Sequence, residues 1–188
     1  MQGVFSKTLK AYAVCMKSCR VAHAVVWHQG RLLLIEHKPK AQKNRIWRHN
    51  TDTPFWCLPG GKSEDEDCDL LATARREARE EAGVDTQESG KLIACMRFDD
   101  PKEGWSCYQE TYELMAISGD LHPIADPDNA IARSAFFAKD EAISKLEQLQ
   151  LQLLKEPVLA YLRGEGSALW TYRLDDDGNY ILTSSEPF

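Results

Sequence analysis

Between Leu58 and Val84 the chain reads LPGGKSEDEDCDLLATARREAREEAGV, and this run restricts the possible folds more than any other part of the sequence. Phe55–Leu58 reads as a short strand, and Pro59-Gly60-Gly61 predicts a tight turn at its end. Asp67 or Asp69 then supplies a helix cap, the apolar spacing carries a helix to about Ala82, and Gly83 stands where helices stop in a left-handed residue. At about 100° per residue, with Glu77 set at zero, Glu81 falls at about 40° and Glu80 at about −60°. Leu70, Leu71, Ala74, Ala78 and Ala82 form the neighbouring stripe, which predicts burial against a core. Arg75 and Arg79 point away from the glutamates; Arg76 alone lies beside them.

A mixed Arg/Glu run also describes a solvated helix laced with ion pairs. Such helices interleave their charges, because each i,i+4 pair contributes only about 0.2–0.5 kcal/mol. Here the three carboxylates gather on one face, where they repel one another unless a cation sits among them. Hard divalent cations take oxygen ligands and commonly bridge carboxylates to substrate phosphate. The glycine pair lets backbone groups come close to such an ion. The stretch therefore predicts a place where metal and phosphate are held.

The rest of the chain supplies a frame. Val21–Trp27 and Arg31–Glu36 read as strands joined by a turn at His28-Gln29-Gly30. The polar run from His37 to Phe55 is a long loop, and loops of that length in compact domains are often functional. Strands are predicted at Lys91–Phe98, Cys107–Ile117 and Ser134–Ala138. The Gly119–Asn129 loop precedes the last of these. Lys139–Leu154 reads as an amphipathic helix broken before Pro157, with a last turn to Leu162. The tail LWTYRLDDDGNYILTS reads as a hairpin around Asp-Gly. The expectation is an α+β fold with helices packed on a mixed sheet. It forms a single domain over 1–188, with a core at about 20–163 and a C-terminal hairpin at 167–184.

A length of 188 residues suits one domain with a substantial core. The net charge of −6 argues against a general nucleic-acid binder and against attraction to anionic membranes. No apolar run reaches the roughly 18–20 residues of a membrane span, and the first twenty residues lack a signal-peptide core. Reduced thiols are expected for the six cysteines, and with them a cytoplasmic location. Cys15, Cys19 and His23 are spaced four apart, but no second Cys/His pair completes a zinc set.

The Leu58–Val84 stretch resembles the Nudix box, the signature of Nudix hydrolases. That box runs Gly, five residues, Glu, seven residues, then Arg-Glu-apolar-x-Glu-Glu-x-Gly-apolar. Gly61 opens it here, and Arg76-Glu77-Ala78-Arg79-Glu80-Glu81-Ala82-Gly83-Val84 closes it with every required position filled. Asp67 stands where the first Glu is expected, one residue further from Arg76 than usual. Coenzyme A pyrophosphatase-like members are similar there, with an Asp, one extra residue and Ala-Thr-Ala ahead of the Arg-Glu, and Arg48-His49 resembles part of a segment they carry before the box. The order of strands, loop and helices extends the resemblance to roughly residues 20–160.

The resemblance implies a Nudix fold, a mixed sheet sandwiched between helices. It implies a Mg²⁺-dependent (or Mn²⁺-dependent) pyrophosphohydrolase that cleaves the diphosphate linkage of a nucleoside diphosphate joined to another moiety, such as ADP-ribose, a nucleotide sugar, coenzyme A or a nucleoside triphosphate. It implies metal ligands at Glu77, Glu80, Glu81 and the Gly61 carbonyl, with Glu80, Glu77 and Arg76 catalytic. Arg76 would orient Glu77, and Asp67 would engage Arg76. One of the glutamates, or a carboxylate from a later loop, would be the general base. The usual Glu position before the Ala135-Phe136-Phe137 strand holds Ala130, with Asp126, Asp128, Glu110 and Glu113 as substitutes.

The partner is then a nucleotide-type small molecule, with no membrane, no general nucleic-acid binding, and a monomeric or homodimeric protein. Lys38, Lys40, Lys43, Arg45 and Arg48, interleaved with Trp47, suit a phosphate-rich ligand, and Trp47 or Trp56 could stack on a base. Lys38, Arg45, Trp47, Arg48 and Trp56 are accordingly the candidate substrate-binding residues; a solvated insertion explains the basic loop equally well. Pro101 lies near the spacing of a proline found in ADP-ribose-hydrolysing members. Two other functions use the same fold: a nucleotide sensor without catalysis, and an isomerase of allylic diphosphates whose reactive cysteine would be Cys57.

Overall fold

The computed structural model describes residues 17–39, 53–100, 104–121, 126, 129–175 and 179–188. Among them run strands β1 (Lys17–His28), β2 (Arg31–His37), β3 (Phe55–Cys57), β4 (Gly60–Lys62), β5 (Lys91–Asp100), β6 (Trp105–Met115), β7 (Ile131–Ala138), β8 (Ala168–Leu174) and β9 (Tyr180–Pro187). Helix α1 spans Leu70–Ala82, α2 Lys139–Glu147 and α3 Gln152–Arg163.

The nine strands form one mixed sheet with β3-β2-β1-β6-β5-β8-β9 as its path, β4 joined to β1 and β7 to β2. β1 lies parallel to β6, and β5 parallel to β8; the other pairings are antiparallel. The sheet separates the helices because β1 and β2 are apolar on both faces. Ala22, Ala24, Val26, Leu33 and Ile35 pack with Leu70, Ala74, Ala78 and Ala82 of α1. The alternating residues Val25, Leu32 and Leu34 pack with Ala142 and Leu146 of α2 and Val158, Leu159 and Leu162 of α3. This is the expected α+β sandwich.

The β1–β2 turn forms at Gln29 and Gly30, both with positive φ (49° and 76°), as a two-residue hairpin turn requires. The strands pair only next to that turn, at Trp27↔Leu32 and His28↔Arg31. Beyond it β1 continues between β4 and β6, while β2 turns to β3 and β7. That divergence places β4, which leads into α1, along the open side of β1.

Two expectations are corrected. Gly60 and Gly61 form no tight turn; they are extended in β4, in register with His23 and Ala22. Their lack of side chains serves close approach: a Cβ on Gly60 would lie 2.5 Å from the Ala22 carbonyl oxygen. The C-terminal helix does not run from Lys139 to a break before Pro157. It opens earlier, between α2 and α3, and Pro157 lies inside α3. The cause is legible in Leu149-Gln150-Leu151-Gln152-Leu153. Three leucines at a period of two cannot share one helical face, and all three are buried because the chain unwinds there.

The tail forms the expected hairpin of β8 and β9, and β8 adds it to the sheet beside β5. Tyr172 of β8 is fully buried and donates to Glu156 Oε2 of α3 at 2.8 Å. Among the described residues no helix is long and apolar enough to cross a membrane.

Candidate active site

The site is built on α1 and the strand before it. Asp69 caps the helix, its side chain accepting from the Ala72 N–H at 2.7 Å. Gly83 ends it with φ 67°, its N–H bonding back to the Ala78 and Arg79 carbonyls. The apolar stripe seats the helix on the sheet, which fixes its rotation and turns the carboxylate face toward β4. Arg79 pairs with Asp85 at 2.7 Å, away from the glutamates.

Arg76 sits at the centre. Its guanidinium meets Glu77 Oε1 at 3.0 Å, Glu80 Oε2 at 2.9 Å and Asp67 Oδ2 at 3.2 Å, and donates to the Lys62 carbonyl at 2.8 Å. Asp67 thus reaches Arg76 despite the extra residue between them. It also accepts from the Glu64 N–H and the Thr73 hydroxyl. Burial pushes the Asp67 carboxyl up, but these donors, Arg76 first, hold it below its ordinary value. Burial opposes the Arg76 charge, yet Asp67, Glu77 and Glu80 keep it protonated more firmly than usual.

The glutamates differ in support. Glu77 is 9% exposed. Its carboxylate lies against Gly61, where a Cβ would come within 2.2 Å of Oε1. Burial raises its pKa to about 7; Arg76 works against the rise and Glu80 adds to it. Glu81 accepts from the Gly60 N–H at 2.9 Å. It too is pushed well up, by burial and then by the charges of Glu77, Asp126 and Glu80, with the Gly60 N–H opposing.

Among the described residues no three His, Cys, Asp or Glu side chains converge into a finished metal-ligand set. Glu77 and Glu80 are turned to Arg76, and Glu81 to Gly60. The donors nonetheless fit a hard divalent cation. They are oxygens, the charge of Glu80 raises the pKa of both Glu77 and Glu81, and Gly61 leaves room where any side chain would intrude.

Behind β4, on the face packed by α3, lies a cavity of about 130 Å³. Met96, Phe98 and Leu153 line it as apolar walls, and His23, Gln109 and Lys62 as polar ones. Gly60 turns its bare Cα to this side, 2.5 Å from His23 Cδ2 for an added Cβ, whereas Gly61 faces Glu77. The His23 Nδ1 is buried without a partner. Burial, then the charge of His37, lowers the pKa of His23 to about 4. The sequence pattern pointed to none of this cavity. Its residues come from β1, β4, β5, β6 and α3, and only strand register brings them together.

The remaining candidates are distributed. Lys38 Nζ donates to the Asn129 carbonyl at 3.0 Å and to its Oδ1. Trp56 lies edge-on to Phe137 with Arg133 and Lys145 over its ring, on the face that carries α2. Arg45, Trp47 and Arg48 fall outside the described residues, as do Lys40, Lys43, Pro101, Asp128 and Cys15. Asp126 accepts from the Ile131 N–H at 2.7 Å. Glu110 accepts from Tyr108 at 3.0 Å and from Tyr112, and Glu113 from Tyr161. Cys57 is buried, and burial, then Glu81, holds its thiol protonated. Cys19 and His23 lie on β1 rather than on a helix.

A mixed sheet thus lies between helices, with a glycine strand pressed against an Arg-Glu-x-x-Glu-Glu helix. The sequence matches the NUDIX domain family over residues 17–161, so the chain belongs to the Nudix family. Among curated proteins none matches it. Among the many solved structures that share its fold are the following three. A NUDIX hydrolase from Nitrosomonas europaea is 20% identical, with a TM-score of 0.59, 80% of this chain and 93% of that one being covered. A mutator MutT protein from Bacillus halodurans is 19% identical at a TM-score of 0.60, covering 89% and 96%. The ORF135 protein of E. coli is 22% identical at a TM-score of 0.53, covering 80% and 94%.

Proposed function

We propose that this chain is a Mg²⁺-dependent hydrolase of a nucleoside diphosphate linked to a second group, of the ADP-ribose, nucleotide-sugar, coenzyme A or nucleoside triphosphate type. The observation that carries the reading is the carboxylate cluster on one face of α1. Glu77 and Glu81 are both pushed up by burial and mutual charge, with Arg76 countering part of the rise at Glu77 and the Gly60 N–H part of it at Glu81. A divalent ion held by Glu77, Glu80, Glu81 and the Gly61 carbonyl would offset diphosphate charge and lower the pKa of water.

The protein's own groups do the positioning. Arg76 fixes the rotamers of Glu77 and Glu80 by charge-assisted hydrogen bonds. Asp67 and the Lys62 carbonyl fix Arg76 in turn. One glutamate of this face, or a carboxylate from a later loop, would accept a proton from attacking water. The cavity behind β4 is close in size to one of about 150 Å³ that holds benzene. It therefore suits one planar ring of the substrate, with His23 and Gln109 beside it. Cys57, buried and held protonated, does not suit the isomerase reading.

The test is a panel of ADP-ribose, nucleotide sugars, coenzyme A, dinucleotides and nucleoside triphosphates, incubated with Mg²⁺ and assayed for nucleoside monophosphate, phosphate and pyrophosphate. Turnover of one class, abolished by chelation, supports the proposal. Tight binding of one compound without turnover of any would reject hydrolysis in favour of a sensor.

A further inference from the structure

Two thiols outside the carboxylate cluster face each other across the parallel pair of β1 and β6. Cys19 and Cys107 are direct register partners there, and their side chains hydrogen-bond. Parallel register turns both to the same face of the sheet, and both belong to the cluster around Phe98 and Leu153. Neighbouring strands lie about 4.8 Å apart, inside the roughly 4.4–6.8 Å Cα separation of disulfides. Among the described residues no other pair of cysteines shares a register position.

The two sulfurs differ in access and in acidity. Cys19 is half-buried, whereas Cys107 is 5% exposed. The hydrogen bond from Cys107 favours the Cys19 thiolate; burial opposes it, and the Lys62 ammonium assists. That same bond, with burial, holds Cys107 protonated. A half-buried thiol of lowered pKa backed by a more buried one is the arrangement of an attacking and a resolving cysteine.

We propose that Cys19 and Cys107 form a thiol–disulfide modification site, oxidised by a hydroperoxide at Cys19 and closed into a bridge by Cys107. In the first step the Cys19 sulfur bonds to one peroxide oxygen and the O–O bond breaks. With hydrogen peroxide, the departing hydroxide takes up a proton as water and Cys19 is left as sulfenic acid. In the second step the Cys107 sulfur attacks the Cys19 sulfur. The S–S bond forms, the S–O bond breaks, and the hydroxyl leaves with the Cys107 proton as a second water. Two electrons pass from the thiol pair to one peroxide. A dithiol reductant reverses the bridge by exchange. In a reducing compartment such a bridge is transient and responsive to oxidant.

The experiment uses the full chain, reduced and then exposed to a small excess of hydrogen peroxide, with free thiols alkylated and peptides mapped without reduction. The expected result is a linked peptide pair joining Cys19 to Cys107, lost on treatment with dithiothreitol. Cys107→Ser should leave Cys19 as a sulfenic acid trapped by dimedone, and Cys19→Ser should leave Cys107 alkylatable after peroxide. The proposal is overturned if both thiols of the parent remain alkylatable, if Cys19 proceeds to sulfinic acid with Cys107 free, or if Cys19 links to another cysteine. None of these readouts depends on a substrate, so they stand or fall separately from the hydrolase reading.

Discussion

The carboxylate of Glu77 occupies the space that a side chain at residue 61 would need: a Cβ there would fall 2.2 Å from Glu77 Oε1. The obstructing atom is the end of a long side chain, which can move without disturbing the backbone. Gly61→Ala should therefore keep its folding stability while displacing Glu77. A misplacement on the order of 1 Å at a reacting centre can cost about a hundredfold. We predict a loss of that order in kcat at near-parental Tm. Parental kcat in Gly61→Ala would show that Glu77 placement does not matter to the reaction.

Glu81→Gln should stabilise the metal-free protein, and by an amount that depends on pH. Glu77 and Glu81 have folded pKa values above the ordinary glutamate value. The folded state thus binds protons more readily than the unfolded state, and stability is lost as pH rises above the ordinary glutamate value, through about 7 in the case of Glu77. Glutamine keeps an acceptor for the Gly60 N–H but cannot ionise. Urea denaturation at several pH values should show a gain that is small near pH 4.5 and larger near pH 8. The same variant should lose at least about a hundredfold in kcat if Glu81 holds metal. A pH-independent stability difference would refute the electrostatic account.

His23 pulls in the opposite direction. Its folded pKa of about 4 lies below the ordinary histidine value. The unfolded chain therefore takes up a proton first, and this contribution is lost as pH falls from about 6.5 to about 4. The shift corresponds to roughly 3 kcal/mol as an upper figure, since the ring as a whole is only half-buried. His23→Phe should flatten the acid limb of the stability profile over that window. An unchanged acid limb would mean that His23 is free to ionise in the folded protein.

Arg45 and Arg48 lie outside the described residues, and their prediction rests on sequence. If they meet the distal phosphate or the linked group, Arg45→Gln with Arg48→Gln should raise KM severalfold and change kcat less. Added salt should raise KM in the parent and much less in the variant, because exposed contacts are screened over about 8–10 Å. Equal salt sensitivity in both, with the same KM, would make the loop a solvated insertion.

The carboxylate face of α1 was legible because helix geometry alone fixes which side Glu77, Glu80 and Glu81 share, and capping chemistry places Gly83 at the end and either Asp67 or Asp69 at the start, a choice the structure makes in favour of Asp69. The pairing of Arg76 with its neighbours followed from the same wheel. Gly60 and Gly61 misled, since glycine permits a turn and a close approach equally, and only the register against Ala22 and His23 decides between them. Pro157 drew attention from the period-two leucines that open the last helix. The cavity at His23 and Gln109 could not be read at all. It is assembled from strands distant in sequence, and a single histidine on an apolar strand carries no periodic signal.

The C-terminal hairpin decides where the sheet ends. Without β8 and β9, the ten-residue strand β5 would become an open rim, offering unpaired N–H and C=O groups beside the wall that Met96 and Phe98 give to the cavity. With them, the exposed rim is β9, which carries Thr183, Ser184, Ser185 and Glu186 and closes on Pro187. The hairpin thus moves that border of the sheet away from the cavity and onto a strand whose last half is polar.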